Sequence, residues 1–545
     1  MAETALANER AQPVTEEEPP LRVLTHPFAV ALGLTNLYLL ALTGPLISTG
    51  HELVYHLTGS ARVIFIPVMV DVVVLFLLLA GLLTLAERGG RLRVAIWSAT
   101  VLALPWILTE TISGFLGAVV PGWVSLLMGL SYGLGVAAIA WNWKRILPSF
   151  DAVQPVIATI LGVFALGGLM IFAQLAWFGW QARHLNPSPL LHHRQVATGP
   201  VQPRILWILL DELSYQQVYE QRFPGLKLPA FDQLAAESTV FTNVVPTGEY
   251  TRYVIPSLLT GVPADGVNVS GAGLLVAMHD TALGKWDRFQ QHHTVFQDAI
   301  DAGYSTGVAG WYNPYCRILP AVLDHCYWMY HEMTPDNLSP DGSDAANLLT
   351  PVRTLLFETR HLLGKREGPP SDDLLDLQMH TADYRGLLAA GDAYLSNPSV
   401  GFLLLHMPVP HPFGFYDRKS GNFADHHTSY IDNLALADQY LAHVRALLEK
   451  EGQWDSTTVV VMGDHSWRTR QIWASTEDWS AEDQAASHGG KFDDRPAYLV
   501  KLPHQQTGAR IDVRFGAIRT RALFDAMLQK KVRTPEELRA WVGRR

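Results

Sequence analysis

The order of hydrophobic and polar residues divides the chain at about residue 180. Before that point apolar residues run together in five long stretches, roughly 26–49, 62–85, 94–119, 121–142 and 153–180. Each is near or above the ~20 residues that carry a helix across a bilayer, so a five-helix transmembrane bundle over 26–180 is expected. Residues 1–25 are mostly polar and acidic and read as a cytoplasmic tail. The first apolar run is long enough to span, so it reads as a helix and not as a cleavable signal peptide. Orientation follows from the connections. Arg88, Arg91 and Arg93 lie between the second and third stretches and Lys144-Arg145 between the fourth and fifth, whereas the loops around 51–59 and 119–122 hold neither Lys nor Arg. Positive loops stay inside, which places the N-terminus in the cytoplasm and everything after Trp180 outside. Trp97, Trp106, Trp123, Trp141, Trp143, Trp177 and Trp180 fall near the ends of stretches, as interfacial tryptophans do. Asp71 and Glu110 lie within them, either as interhelical hydrogen-bond partners or as a polar floor for a lipid head group.

Residues 181–202, rich in His, Pro, Ser and Gln, read as a linker. From 203 the pattern changes. Arg204–Leu210 is a continuous apolar run that ends in Asp211-Glu212; 401–406 is a second, ending in His406; Thr457–Gly463 is a third, ending in Asp464-His465. Such runs mark strands buried on both faces of a parallel sheet. Apolar residues at helical spacing lie between them, over 231–237, 294–302 and 430–450. Alternating strands and helices give an α/β sandwich over 203–545, closed by an amphipathic helix pair from Thr520 to Arg545. Sheets of this kind carry their sites at the carboxyl ends of the strands.

Composition sharpens this picture in two respects. Only 17% of residues are charged, 48% are hydrophobic and the formal net charge is −10. No basic stripe interleaved with aromatics is present, so nucleic acid is excluded as a partner. The two cysteines, Cys316 and Cys326, lie close together in a compartment that permits oxidation, and a disulfide between them is expected.

Carboxylates and an imidazole at strand ends suit a divalent metal, zinc or manganese. Three Asp-His pairs occur, at 324–325, 425–426 and 464–465, and only the last follows an apolar strand. A hydroxyl beside a metal can be activated as a nucleophile; Thr247, Thr251, Ser257 and Thr260 compete, and residue chemistry alone does not choose among them. His406 ends a strand at the same rim and is read as site or core alike. Arg252 and Lys491 can hold anionic oxygens. The pairs His192-His193, His292-His293 and His426-His427 read as solvated loop residues.

The order of these elements resembles the alkaline phosphatase superfamily in its sulfatase-like branch, and most of all membrane-anchored phosphoethanolamine transferases and lipoteichoic acid synthases. The resemblance rests on Arg204–Glu212, on Thr251 five residues before Pro256, on Tyr430-Ile431-Asp432 ahead of Thr457–His465, on Pro410-His411-Pro412, and on Ser487–Lys491. It implies Thr251 as nucleophile, and one divalent metal held by Glu212, Thr251, Asp464 and His465, with Asp211 a second ligand or a structural acid. It also implies His411 or His488 as proton donor or phosphate holder; Arg252, His406 and Lys491, read from their chemistry and position, are the candidate substrate contacts. The implied partners are a membrane phospholipid donor and a glycan or lipid acceptor, at a bacterial plasma membrane with the catalytic domain outside. The sulfatase Cys-x-Pro-x-Arg nucleophile is absent, Asp211-Glu212 stands where the transferases usually have Gly-Glu, and Ser466-Trp467-Arg468 departs from the usual Gly-Glu. Some relatives of this layout are non-catalytic membrane sensors of envelope lipid synthesis, which is the alternative reading.

Overall fold

The computed structural model describes residues 23–48, 54–105, 107–109, 122–185, 191, 203–331, 344–350, 352, 372–476 and 478–544. Most of the expected N-terminal tail and linker, with Trp106, Glu110 and His192-His193, lies outside them. The chain forms two compact units. One comprises 1–48, 65–177 and 351–366; the other comprises 49–64, 178–350 and 367–545.

The first unit is helical, with helices Pro27–Ser48, Arg62–Ala86, Gly90–Leu102, Gly122–Trp141 and Trp143–Ala182. Three apolar segments, Arg62–Ala86, Gly90–Thr109 and Trp143–Ala182, are long and apolar enough to cross a membrane. Among the described residues, three of the expected five are thus candidate spans. The other two fall on the helices Pro27–Ser48 and Gly122–Trp141, of which Pro27–Tyr38 and Leu126–Trp141 are the described apolar parts. The last helix begins about ten residues before its apolar stretch, because Trp143–Ala152 continues the same helical backbone through Pro148.

The second unit is built on one sheet of eight strands: β1 (Ile205–Leu210), β2 (Thr239–Phe241), β3 (Thr306–Trp311), β4 (His325–Met329), β5 (Phe402–Met407), β6 (Thr458–Gly463), β7 (Tyr498–Lys501) and β8 (Ala509–Ile511). Their spatial order is β8-β2-β7-β6-β1-β5-β3-β4. The central strands β6, β1, β5, β3 and β4 run parallel, and β7 runs against β6 and β2. Side chains alternate along a strand, and β1 shows the result. Leu206, Ile208 and Leu210 enter one core with Leu403, Leu405, Val459 and Val461. Ile205, Trp207 and Leu209 enter the other with Phe402, Leu404, Val460 and Met462. A strand buried on both faces has no polar side to alternate, which is why its sequence is an unbroken apolar run.

Helices cover both faces. Helices α2 (Asp372–Leu395) and α3 (Tyr430–Lys450) pack on the first core; α1 (Thr251–Thr260), Val295–Asp301 and the pair Thr520–Leu528 and Pro535–Val542 pack on the second. Helix α3 starts in a capping box, with Ser429 and Asp432 each satisfying the other's backbone, and this is the Tyr-x-Asp motif seen in the sequence. The expected disulfide joins Cys316 to Cys326 with Cα atoms 5.5 Å apart. The structure also assigns 49–64, which the hydropathy pattern groups with the membrane helices, to the second unit.

Candidate metal and nucleophile site

In register, Leu210 of β1 faces Gly463 of β6 and Met407 of β5. The next residues, Asp211 and Asp464, therefore leave the sheet side by side at its carboxyl edge. Asp211 shares the face of Leu209, and Asp464 that of Met462, which is also the face on which α1 packs. Thr251 is the first residue of α1, where backbone N–H groups and the helix dipole favour negative charge. Its Oγ1 lies 2.8 Å from Asp464 Oδ2, 3.3 Å from His465 Nε2 and 3.5 Å from Asp211 Oδ2. Asp211, Asp464 and His465 are buried, and one ligand atom from each lies within 4.8 Å of the others.

Electrostatics in this cluster ask for a cation. Burial, together with the Asp464 and Glu212 charges, pushes the Asp211 carboxyl well above the usual carboxylate range, and its Oδ1 has no hydrogen-bond partner. Burial, with the Arg468 charge, holds His465 down to about 4. Its Nδ1–H donates to the Ser466 carbonyl at 3.1 Å, so the Nε2 lone pair faces Asp464 Oδ2 at 3.1 Å. A lone pair set against carboxylate oxygens in a buried place is a donor set for a divalent ion. Asp211, Asp464, His465 and the Thr251 hydroxyl fit one.

Glu212 departs from the expected ligand set. Adjacent residues point to opposite faces, and Glu212, at φ 61°, turns its carboxylate to Arg468. Arg468 donates through Nε at 2.7 Å, through Nη2 and through its backbone N–H at 3.1 Å. Trp473 Nε1 adds a donor at 2.9 Å. Glu212 also comes within ligand distance of Asp211 and His411, but it is outside the group that holds Thr251. His411 donates its Nδ1–H to the Pro412 carbonyl at 2.8 Å. Burial, with the Arg468 charge, lowers its pKa to about 3. It therefore stands as a neutral imidazole with Nε2 as acceptor.

A cavity of about 430 Å³ opens over the cluster, lined by Asp211, Thr251, His411 and Arg468 on one side and by Tyr250, Trp311, Tyr312, Tyr330 and Phe413 as aromatic wall. Four expected contacts are not among its lining residues. His488 is exposed just beyond the short helix Ala481–Ala486, at φ 51°, and Lys491 is exposed. Arg252 donates to the Tyr253 hydroxyl at 2.7 Å. His406 is fully buried beneath the cluster, with Nδ1 at 2.8 Å from the Tyr315 hydroxyl.

Other residues that sequence reasoning passed over do line the cavity. Arg468 was visible only as a departure from the family pattern. His331 is paired with the buried Asp383, which also accepts from Trp311 Nε1 at 3.1 Å. His380 and His427 both approach Asp376, at 3.4 and 3.5 Å. His427, expected in solvent, also stands 3.1 Å from Asp478. No unbroken apolar run leads into His380, on a helix, or into His427, within the partly exposed strand Asn422–Thr428, so the apolar pattern gave no signal for them.

The sulfatase family profile matches residues 203–504. No curated protein sequence matches the chain. Among solved structures, it is similar to the lipoteichoic acid synthase LtaP from Listeria monocytogenes, at 14% identity over 61% of this chain and 74% of that one, TM-score 0.35. It is also similar to the phosphonate monoester hydrolase of Agrobacterium radiobacter, at 13% over 60% and 74%, TM-score 0.36. A third is an alkaline phosphatase superfamily protein from Vibrio parahaemolyticus, at 13% over 65% and 73%, TM-score 0.36. Since the family match covers more than half of the chain, this protein belongs to the sulfatase family.

Proposed function

We propose that the protein moves a phospho-head group from a membrane phospholipid to a glycan or lipid hydroxyl, or to water, through a covalent phosphothreonine at Thr251. The observation that carries this reading is the Thr251 hydroxyl, at a helix N-terminus and 2.8 Å from Asp464, on the floor of the cavity. A divalent ion, zinc or manganese, held by Asp211, Asp464, His465 and Thr251, would supply Lewis-acid polarisation of the phosphoryl group. The protein's own groups do the rest. Asp464 takes the hydroxyl proton as Thr251 Oγ1 bonds to phosphorus. The bond from phosphorus to the lipid oxygen breaks, and that oxygen leaves with the proton. Helix α1 and Arg468 lie where charge builds on the phosphoryl oxygens. The acceptor oxygen then displaces Thr251 in the reverse sense. The site would lie outside the cytoplasm of a bacterial cell, facing the lipid surface.

Peptide mass after incubation with phospholipid tests this. An increment on Thr251 equal to the donor head group is expected, cleared by added acceptor. Thr251→Ala should lose the increment and at least about a thousandfold in turnover while keeping its melting temperature. A Thr251→Ala chain with full activity would sink the reading.

A further inference from the structure

His406 lies one residue short of the strand end that carries the site. It pairs with Leu209 of β1, and paired residues in a parallel sheet share a face. Asp211 is two residues beyond Leu209 on that face, so His406 is its diagonal neighbour from the adjacent strand, one pleat repeat below. Asp464 stands on the same face one strand further on. His406 is completely enclosed, and its Nε2 makes no hydrogen bond among the described residues. The polar groups acting on the ring besides Tyr315 are the Trp311 carbonyl and the Asp464 and His465 side chains.

The ring is held from the other side by a buried chain of contacts that runs away from the cavity. Burial keeps the Tyr315 phenol protonated, and its hydroxyl shares a hydrogen bond with His406 Nδ1 at 2.8 Å. Tyr315 is tied to Asn313 through the backbone, in a tight turn in which the Tyr315 N–H donates to the Asn313 carbonyl at 2.7 Å, while the Asn313 Nδ2 makes no hydrogen bond among the described residues. Asn313 Oδ1 in turn accepts from the Tyr55 hydroxyl at 2.9 Å. Tyr55 is not part of the sheet domain's sequence; it belongs to 49–64, between the first two helices. Arg317, almost fully buried, fastens that segment by donating to the Leu57 carbonyl at 3.1 Å and to the Tyr55 carbonyl.

We infer that Tyr55, acting through Asn313, Tyr315 and His406, is a positioning residue for the Asp211–Asp464–His465 cluster, so that the segment between the first two helices completes the catalytic centre. The inference rests on the phosphothreonine reading for its kinetic test and on the metal cluster alone for its binding test. Tyr55 and Tyr315 touch neither the metal ligands nor substrate; they fix the ring that underlies them.

The experiment is a double-mutant cycle in the full chain, with Tyr55→Phe and Tyr315→Phe, each of which removes one hydroxyl and keeps the ring. Two quantities are read: the single-turnover rate of phosphothreonine formation, and the affinity for manganese alone by calorimetric titration. Each single variant is expected to lose about five- to tenfold in both, as one buried hydrogen bond allows. The double variant should be no worse than the weaker single one, because both substitutions cut the same chain. Losses that multiply, or a Tyr55→Phe chain that forms the adduct and binds manganese like the wild type, overturn the inference. If the wild type forms no adduct while manganese binding still shows the non-additive pattern, the positioning role stands and the transfer reading fails.

Discussion

His427 shows how one side chain ties pH to stability. Burial pulls its pKa down, but the Asp376 and Asp478 carboxylates more than reverse this and raise it to about 9. A group whose folded pKa lies above its unfolded value of about 6.5 stabilises fully below the unfolded value and loses that contribution as pH rises through the folded one. The melting temperature should therefore fall between about pH 6.5 and 9, and His427→Gln should flatten that segment of the profile. An unchanged profile in the variant would show that the ion pair does not form. Residues of this kind were the hardest to read from sequence. Asp464-His465 stood out because an apolar strand leads straight into it. His427 sits on an exposed hairpin, Asp376 on a helix and Asp478 in a loop, and nothing in their local sequence brings them together. Asp211 and Glu212 were read as one acidic strand end, yet neighbouring residues face opposite ways, so one meets Thr251 and the other Arg468.

Elements were far more legible than single contacts. The three unbroken apolar runs are β1, β5 and β6 nearly to the residue, because strands buried on both faces leave no ambiguity of period. The strands β2 and β8 at one side of the sheet, three residues each, are too short for any period to show. The turn over 313–318 is another element that sequence hid, although it carries Asn313, Tyr315 and Arg317 together. Its disulfide to β4 was expected from the closeness of the two cysteines in sequence and from a compartment that permits oxidation. It closes a loop with a sequence separation of 10, and on chain-entropy grounds should contribute about 2–3 kcal/mol. Denaturant unfolding of a Cys316→Ala, Cys326→Ala chain should show a loss of that size; no loss would mean that packing alone holds the turn.

At the scale of the whole molecule, the sequence separated a membrane part from an α/β part but drew the boundary as a single cut near 181. Hydropathy sees composition, and the short polar segment between two apolar runs looks like any loop. The orientation read from Arg88–Arg93 and Lys144-Arg145 is tested by a phosphatase reporter fused after Arg545, which should be active only outside the cytoplasm. Activity in the cytoplasm would reverse the topology and deny the site access to outer-leaflet lipid. The seat of Arg317 on the Tyr55 and Leu57 carbonyls has a consequence for how this chain is inherited and made. The two partners are separated by 262 residues, and the ribosome delivers the carbonyls long before the guanidinium that needs them. The second unit is thus completed only when its later residues meet a segment of the same unit made long before them. Recombination that exchanges residues 203–545 as a cassette would strand a buried cation, so any viable swap must carry Thr49–Ile64 with it.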